Sequence, residues 1–325
     1  MGNIPMAIIS SLLPLAIVVG IIVGIVALAR RRGEPGDDPG IGTVRRLYIY
    51  FLSLAGMVTA AIGATLIVSV VLSEFGPKAI SRDTSTNALG LALTIVGTPV
   101  WLLFWRMAQR SVRQNVVEVR AASRKVYLYV VLAVSAIVAS VAASSFLSWL
   151  FRLEDFSGTP LALMLVWGGL WAFHWWIENN EGQLTELGAS VRRLYIYGLA
   201  LFSMVELVIG AAGVLRTAMN AAYEALFDTS EVLVNYPVLW SEAMRGSLSL
   251  VLVGGLVWWW HWHRVAAGDV DSTLRHVYLY LFAILGGTAM VVSSLSVLLY
   301  RILQWLIGSP GITSARLHFD ILPTL

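Results

Sequence analysis

Apolar residues along this chain gather into long stretches separated by short polar or basic segments, and each stretch approaches or exceeds the roughly 20 residues needed to span a bilayer's hydrocarbon core. Eight such stretches stand out, at about 6–29, 47–73, 88–105, 126–150, 160–177, 194–216, 246–262 and 277–304. A lone segment in lipid satisfies its backbone N–H and C=O groups only by folding into a helix, so each stretch is predicted to be helical. The pattern therefore predicts an all-α, polytopic transmembrane helical bundle of about eight spans.

Composition agrees. The chain has 325 residues, 58% of them hydrophobic and 13% charged, and soluble domains carry roughly twice that charged fraction. The first stretch ends in Arg30, Arg31 and Arg32 where a cleavage site would need small residues. It reads as a signal-anchor with its N-terminus outside. There is no cysteine, which excludes disulfides, iron–sulfur clusters and thiolate metal sites.

Charge sets an expected orientation. With the first span running inward, both termini face out. The inner segments then hold Arg30–Arg32, Arg45, Arg46, Arg106, Arg110, Arg113, Arg120, Arg124, Lys125, Arg192, Arg193, Arg264 and Arg275, which is 15 of the chain's 22 Lys and Arg. That bias follows the positive-inside rule. Two inner segments depart from it: 178–191 is acidic until Arg192, and 263–274 is close to neutral. The net charge of +3 is divided by membrane side and points to no nucleic acid.

Within the apolar pattern lies a repeat. "RRLYIY" occurs at Arg45–Tyr50 and again at Arg192–Tyr197, with near copies "RKVYLY" at Arg124–Tyr129 and "RHVYLY" at Arg275–Tyr280. The returning stretches carry "WLLFW" at Trp101–Trp105, "WAFHW" at Trp171–Trp175 and "WWWHW" at Trp258–Trp262. The unit is thus R-x-x-Y-x-Y, an outward helix, an outer loop, and a returning helix closing on W-x-x-[FH]-W. Successive copies keep one orientation, which makes them parallel two-helix repeats. The division expected is an anchor and inner linker at 1–44, repeat units at 45–123, 124–191 and 192–274, and a truncated fourth unit with an outer tail at 275–325. Through these entries and exits, residues 43–305 resemble the bacterial membrane-protein family known as domain of unknown function 5671. The resemblance implies helical membrane architecture and brings no activity, ligand or catalytic residue with it.

Thr43, Ser190 and Thr273 lie two residues before the first Arg of their copies, and Ser123 one before, so all four are candidate helix N-caps. An Arg in the first turn opposes the helix dipole and calls for a negative partner, either lipid phosphate or the acidic groups of another protein. The two tyrosines of each copy are about 200° apart on a helix and cannot share a face. One is expected to face lipid and the other a neighbouring helix. Arg45 with Tyr48, and Arg46 with Tyr50, have the spacing for cation–π pairs.

Interfacial anchoring alone accounts for a single Tyr or Trp at headgroup depth, but an anchoring belt forms at both interfaces. Here the aromatics concentrate on the inner side. The candidate lipid- or protein-contacting residues are Arg45, Arg46, Tyr48, Tyr50, Arg192, Arg193, Tyr195, Tyr197, Trp101, Trp105, Trp171, Trp175, Trp258 and Trp262.

Polar chemistry inside the spans is sparse. Glu206 is the one acidic residue expected within a span, which makes it a candidate functional site or a protonated, hydrogen-bonded carboxyl. His174 and His261 share a repeat position and are candidate haem ligands, against the simpler reading of packed histidines in an aromatic layer. Unit one has Phe104 there. No metal site or cofactor is expected. Close packing is predicted at Gly56, Ala60 and Ala64, at Gly210–Gly213, and at Gly286 and Gly287. Pro99 is a candidate kink, and 217–245 is expected to be an outer loop. No Walker loop, nucleophile elbow, H-E-x-x-H or Rossmann fingerprint is present.

These observations favour a non-enzymatic integral membrane protein of the cell (inner) membrane. It would act as a scaffold or accessory subunit, with the bilayer, another membrane protein or its own copies as partners. The alternative is a small-solute or ion channel or transporter built around Glu206.

Overall fold

The computed structural model describes residues 41–76, 84–151, 153, 156–182, 185–227 and 240–307. The stretch at 6–29, the inner linker and the C-terminal tail lie outside them. Every regular element among the described residues is helical: α1 (Ile41–Ser73), α2 (Thr84–Gln114), a 3-10 turn (Val116–Arg120), α3 (Ala122–Leu150), α4 (Gly158–Glu181), α5 (Glu186–Phe227), α6 (Glu242–Trp259) and α7 (Thr273–Val277), ending in α8 (Gly287–Ile307). Two segments widen into π-helix. Trp260–Val265 continues α6, and Tyr278–Gly286 joins α7 to α8.

Six helical runs are long and apolar enough to cross a membrane: Val44–Ser73, Ser85–Gln114, Ala122–Leu150, Gly158–Glu181, Glu186–Ala222 and Thr273–Gln304. The chain is a multi-pass membrane protein. The apolar stretch at 246–262 also lies in a helix, but the α-helical part is only 18 residues long and begins with Glu242 and Arg245. It is not among the six.

The helices overrun the apolar stretches that predicted them. α2 continues nine residues past Trp105 to Gln114 and is unbroken across Pro99. α5 runs 42 residues, so 217–227 of the expected outer loop is helix, as is 242–245 at the start of α6. The residues concerned, "TAMNAAYEALF", are mostly good helix formers.

The caps also differ from expectation. α1 begins at Ile41 and α5 at Glu186, so Thr43 and Ser190 are already inside their helices, and Ser190 Oγ donates to the Glu186 carbonyl. Ser123 is likewise within α3. In the fourth copy the cap is Ser272, whose hydroxyl accepts from the Arg275 amide, and Thr273 is the first helical residue. A helix in lipid extends until its last backbone groups reach water, and that point need not coincide with the first good capping residue.

Two compact units divide the chain. One comprises Met1–Ala142 and Phe156–Tyr195, the other Ala143–Asp155 and Ile196–Leu325. In the first, α1 packs along α2 and against α4. Its core gathers Tyr50, Leu54, Met57, Trp105, Tyr127, Leu128 and Val131 near one end of the helices.

Small residues bring the backbones together. A Cβ on Gly97 would overlap the Ala60 amide and stand 2.9 Å from the Gly56 carbonyl oxygen; one on Gly56 would stand 2.6 Å from the Trp101 amide nitrogen. In the second unit a Cβ on Gly254 would lie 2.6 Å from the Leu207 amide and 2.8 Å from the Ser203 carbonyl, and one on Gly210 2.7 Å from Val251 N. Gly287 meets nothing within 4 Å, so the predicted close packing fails there. Without a hydrophobic force between helices in lipid, this backbone approach supplies the dispersion contacts that hold the hairpins closed.

Replacing Gly97 by Leu forces α1 and α2 apart. It is expected to destabilise the detergent-solubilised protein by about 1–3 kcal/mol or more. Gly168→Ala, where nothing lies within 4 Å, is the neutral control. Thermal unfolding in one detergent compares the two, and equal melting temperatures would remove the packing role given to Gly97.

Candidate functional site: paired charges under an aromatic layer

The alternating helix directions of the first unit bring the start of α1, the end of α2, the start of α3, the end of α4 and the start of α5 to one end. Charges meet there. Arg46 on α1 donates from Nε to both carboxylate oxygens of Glu118, at 3.1 and 3.0 Å, and from Nη2 to Oε1 at 2.9 Å. Glu118 lies in the 3-10 turn between α2 and α3 and is itself buried. This is the planar, forked recognition for which a guanidinium is suited.

A second cluster is deeper. Arg124 and Lys125, at the start of α3, are 1% and 0% exposed. Arg124 Nε donates to Glu181 at 2.8 Å, Nη2 also bonds Glu181, and Nη1 donates to the Tyr50 hydroxyl at 3.3 Å. Lys125 Nζ donates to Glu178 at 2.7 Å and to Glu181 at 3.0 Å. The Tyr129 hydroxyl completes the cluster by donating to Glu178 at 2.5 Å. Glu178 and Glu181 are one turn apart at the end of α4, so both carboxylates reach the two successive cations of α3. Two positive and two negative groups leave the cluster neutral.

Aromatic rings lie over these charges. Arg124 sits 5.7 Å from the Trp105 ring centroid, Trp105 stacks on Tyr127 at 5.7 Å, and Tyr127 contacts Tyr50 at 5.5 Å. His174, fully buried, lies 5.8 Å from both Trp105 and Tyr127. Its Nδ1 is 2.8 Å from the Leu170 carbonyl and therefore carries the proton; Nε2, 3.4 Å from the Tyr127 hydroxyl, accepts from it. Ser53 in turn donates to Tyr127. Both nitrogens of His174 thus meet partners in the chain. The Trp171 indole donates to the Tyr195 hydroxyl at 3.1 Å and stacks on Trp175 at 5.5 Å.

The second unit builds a related layer from the later repeats. Tyr197 contacts Tyr278 at 5.9 Å, and Tyr278 lies tilted against Trp262 at 5.0 Å, with Arg275 4.7 Å from the Trp262 ring. Trp258 stacks on Trp262 and donates to the Tyr278 hydroxyl at 3.3 Å. The contacts among Tyr197, Tyr278, Trp262 and Arg275 are those that Tyr50, Tyr127, Trp105 and Arg124 make in the first unit. The anion set differs. The Tyr197 hydroxyl donates to Asp269 at 2.9 Å, and Arg275 donates to the Ala266 carbonyl at 3.2 Å. His261 is buried, with Nδ1 2.8 Å from the Val257 carbonyl, the same pairing with the residue four back that His174 makes.

Placement of the remaining candidates corrects several expectations. Arg45 is exposed, while Arg192, Arg193 and Trp101 are partly buried. Tyr48 is exposed beside Phe104 and Tyr50 is buried, as two faces require. Tyr278 and Tyr280 also divide, but in the reverse order, the first buried and the second exposed. In the middle copies, however, Tyr127 with Tyr129 and Tyr195 with Tyr197 are all buried. The arginines engaged with rings lie over tryptophans, and Arg46 is occupied by Glu118. The counter-charges for Arg46, Arg124 and Lys125 are carboxylates of the chain itself, where the sequence pointed to lipid or a partner protein.

Glu118, Glu178 and Glu181 were not singled out as site residues. The available signal was the acidity of 178–191 on the side that should be basic. Glu206 is partly buried on α5, its Cβ 2.8 Å from the place a side chain on Gly254 would occupy.

Replacing Lys125 by Met leaves Glu178 and Glu181 with too little positive charge, at an expected cost of about 3–5 kcal/mol. Arg45→Gln, on an exposed residue, is expected within about 0.5 kcal/mol of wild type. Adding Glu178→Leu to Lys125→Met should restore part of the loss, as a double-mutant cycle of unfolding in detergent would show. Strictly additive effects would mean that the pair is not coupled.

The comparisons with known proteins give a family and nothing finer. No curated protein and no solved structure matches the chain. The family described as Domain of unknown function (DUF5671) matches it twice, over residues 46–168 and 193–322. Each match begins inside an "RRLYIY" copy; the first takes in Tyr50, Trp105, Arg124 and Tyr127 and ends before His174, and the second takes in Tyr197, Trp262, Arg275 and Tyr278. With most of its length accounted for in this way, the chain belongs to the DUF5671 family.

Proposed function

We propose that this protein is a non-enzymatic scaffold or accessory subunit of a membrane complex, held in the cell (inner) membrane with both termini outside. In that orientation the charged and aromatic ends of the helices lie at the cytoplasmic leaflet, ordered as four parallel two-helix repeats of which the last is truncated. The observation that supports this reading is the internal neutralisation of the buried charge. Arg46, Arg124 and Lys125 are held by Glu118, Glu178 and Glu181, and His174 by Leu170 and Tyr127. Groups fixed in this way make a rigid platform, and the exposed aromatics and arginines around them are available to lipid or protein.

Extraction from native membranes in a mild detergent, followed by native mass determination, tests the proposal. The expected result is a defined complex, either with another membrane protein or of several copies. A free monomer under all gentle conditions would defeat it.

A second reading is a channel or transporter, and one observation favours it: Glu206 sits where α5 passes Gly254 of α6, so its carboxyl is partly screened from lipid. Proteoliposomes containing wild type or Glu206→Gln distinguish the two. Flux that falls several-fold in the variant supports transport, whereas flux no greater than in empty liposomes leaves the scaffold reading.

A further inference from the structure

Among the described residues, one group of cations lacks the ion pairs that hold Arg46, Arg124 and Lys125. Arg106, Arg110 and Arg113 project from the last turns of α2, and all three are exposed. Among the described residues none of them has an ion pair, and α2 contains no Asp or Glu from Thr84 to Gln114. The nearest carboxylate in sequence, Glu118, is committed to Arg46. A helix C-terminus favours positive charge in its final turn. That accounts for Arg113 but not for Arg106, two turns earlier.

The three arginines fall on one face. At about 100° per residue, Ile95, Pro99, Leu103, Arg106, Arg110 and Arg113 lie within an arc of about 80°. All six are exposed. The opposite face of α2 carries Gly97, Trp105 and Ala108, which are buried against the rest of the unit. The free face is therefore divided along its length: an apolar strip roughly 12 Å long from Ile95 to Leu103, followed by about 10 Å of guanidinium groups. An acyl chain matches the strip. A phosphate matches the guanidiniums, which bind phosphate oxygens through paired N–H donors.

We propose that this face of α2 is a binding site for an anionic phospholipid, with its phosphate on Arg106, Arg110 and Arg113 and an acyl chain along Ile95, Pro99 and Leu103. The site rests on the membrane-spanning character of α2 and is independent of whether the protein is a scaffold or a transporter. It separates two kinds of arginine: those inside the helix packing are neutralised by the chain, and those on the outer face of α2 are neutralised by the leaflet.

The test uses the full-length protein in nanodiscs of mixed phosphatidylglycerol and phosphatidylcholine. Lipids retained through stepwise delipidation are counted by native mass spectrometry. Wild type is expected to retain phosphatidylglycerol about tenfold over phosphatidylcholine, with the preference falling to within about twofold in R106Q/R110Q/R113Q. In wild type alone, a phosphatidylglycerol with a photoreactive acyl chain should label the peptide spanning 95–103 well above the matching phosphatidylcholine probe. This second measurement stands even if the triple variant fails to fold.

Equal retention of the two lipids, or equal labelling by the two probes, would overturn the proposal. So would displacement of the bound lipid by millimolar inorganic phosphate, which would identify a site for a free anion. Retention of an acidic protein at this face in place of lipid would overturn it too.

Discussion

A guanidinium or ammonium group packed between membrane helices has no water to solvate it, so the fold must place an anion within hydrogen-bond reach or lose several kcal/mol. That constraint organises the first unit. Arg124 and Lys125 are fully enclosed at the start of α3, and α4 must end where Glu178 and Glu181 can meet them. Arg46 sets the same condition on the turn between α2 and α3, where the 3-10 segment aims Glu118 at its fork. Helix ends and connections thereby acquire defined positions that apolar packing alone leaves loose. Trp105, Tyr127 and His174 pack against one another beside this cluster, with Trp105 against Arg124.

Farther along the helices, a different force takes over. Lipid tails are as apolar as leucine, so burying leucines between helices gains little, and the hairpins are held by backbone proximity at small residues. Gly56 and Gly97 serve α1 and α2; Gly210 and Gly254 serve α5 and α6. The two kinds of contact divide the labour along the helix axis. Glycine crossings close the spans, and paired charges with stacked rings lock one end.

The two family matches show how far this arrangement is repeated and where it is altered. Tyr50 on Tyr127, Trp105 on Tyr127 and Arg124 on Trp105 return as Tyr197 on Tyr278, Trp262 on Tyr278 and Arg275 on Trp262. The glutamate pair of the first unit is replaced in the second by Asp269, which accepts from the Tyr197 hydroxyl. At the matching positions, Arg275 takes the Ala266 carbonyl, His276 stands exposed where Lys125 is buried, and Tyr280 is exposed where Tyr129 meets Glu178. The ring geometry is thus shared by the two matches, and the anion set is what differs between them.

By itself the sequence determined the helices, their apolar lengths, the repeated hexapeptides with their aromatic exits, and the split of one buried and one exposed tyrosine in the first and fourth copies. All of these are local or periodic properties, written in neighbouring residues and in the cost of exposed backbone in lipid. It also held a trace of the charged cluster, as acidity at 178–191 on the side expected to be basic. Only the tertiary structure decided which carboxylate answers which arginine, because Arg46 and Glu118 are 72 residues apart and Arg124 and Glu181 57. It decided equally that Tyr129 and Tyr195 are buried while Tyr48 and Tyr280 are not. Identical hexapeptides have identical faces, and what covers a face depends on the number of helices beside it.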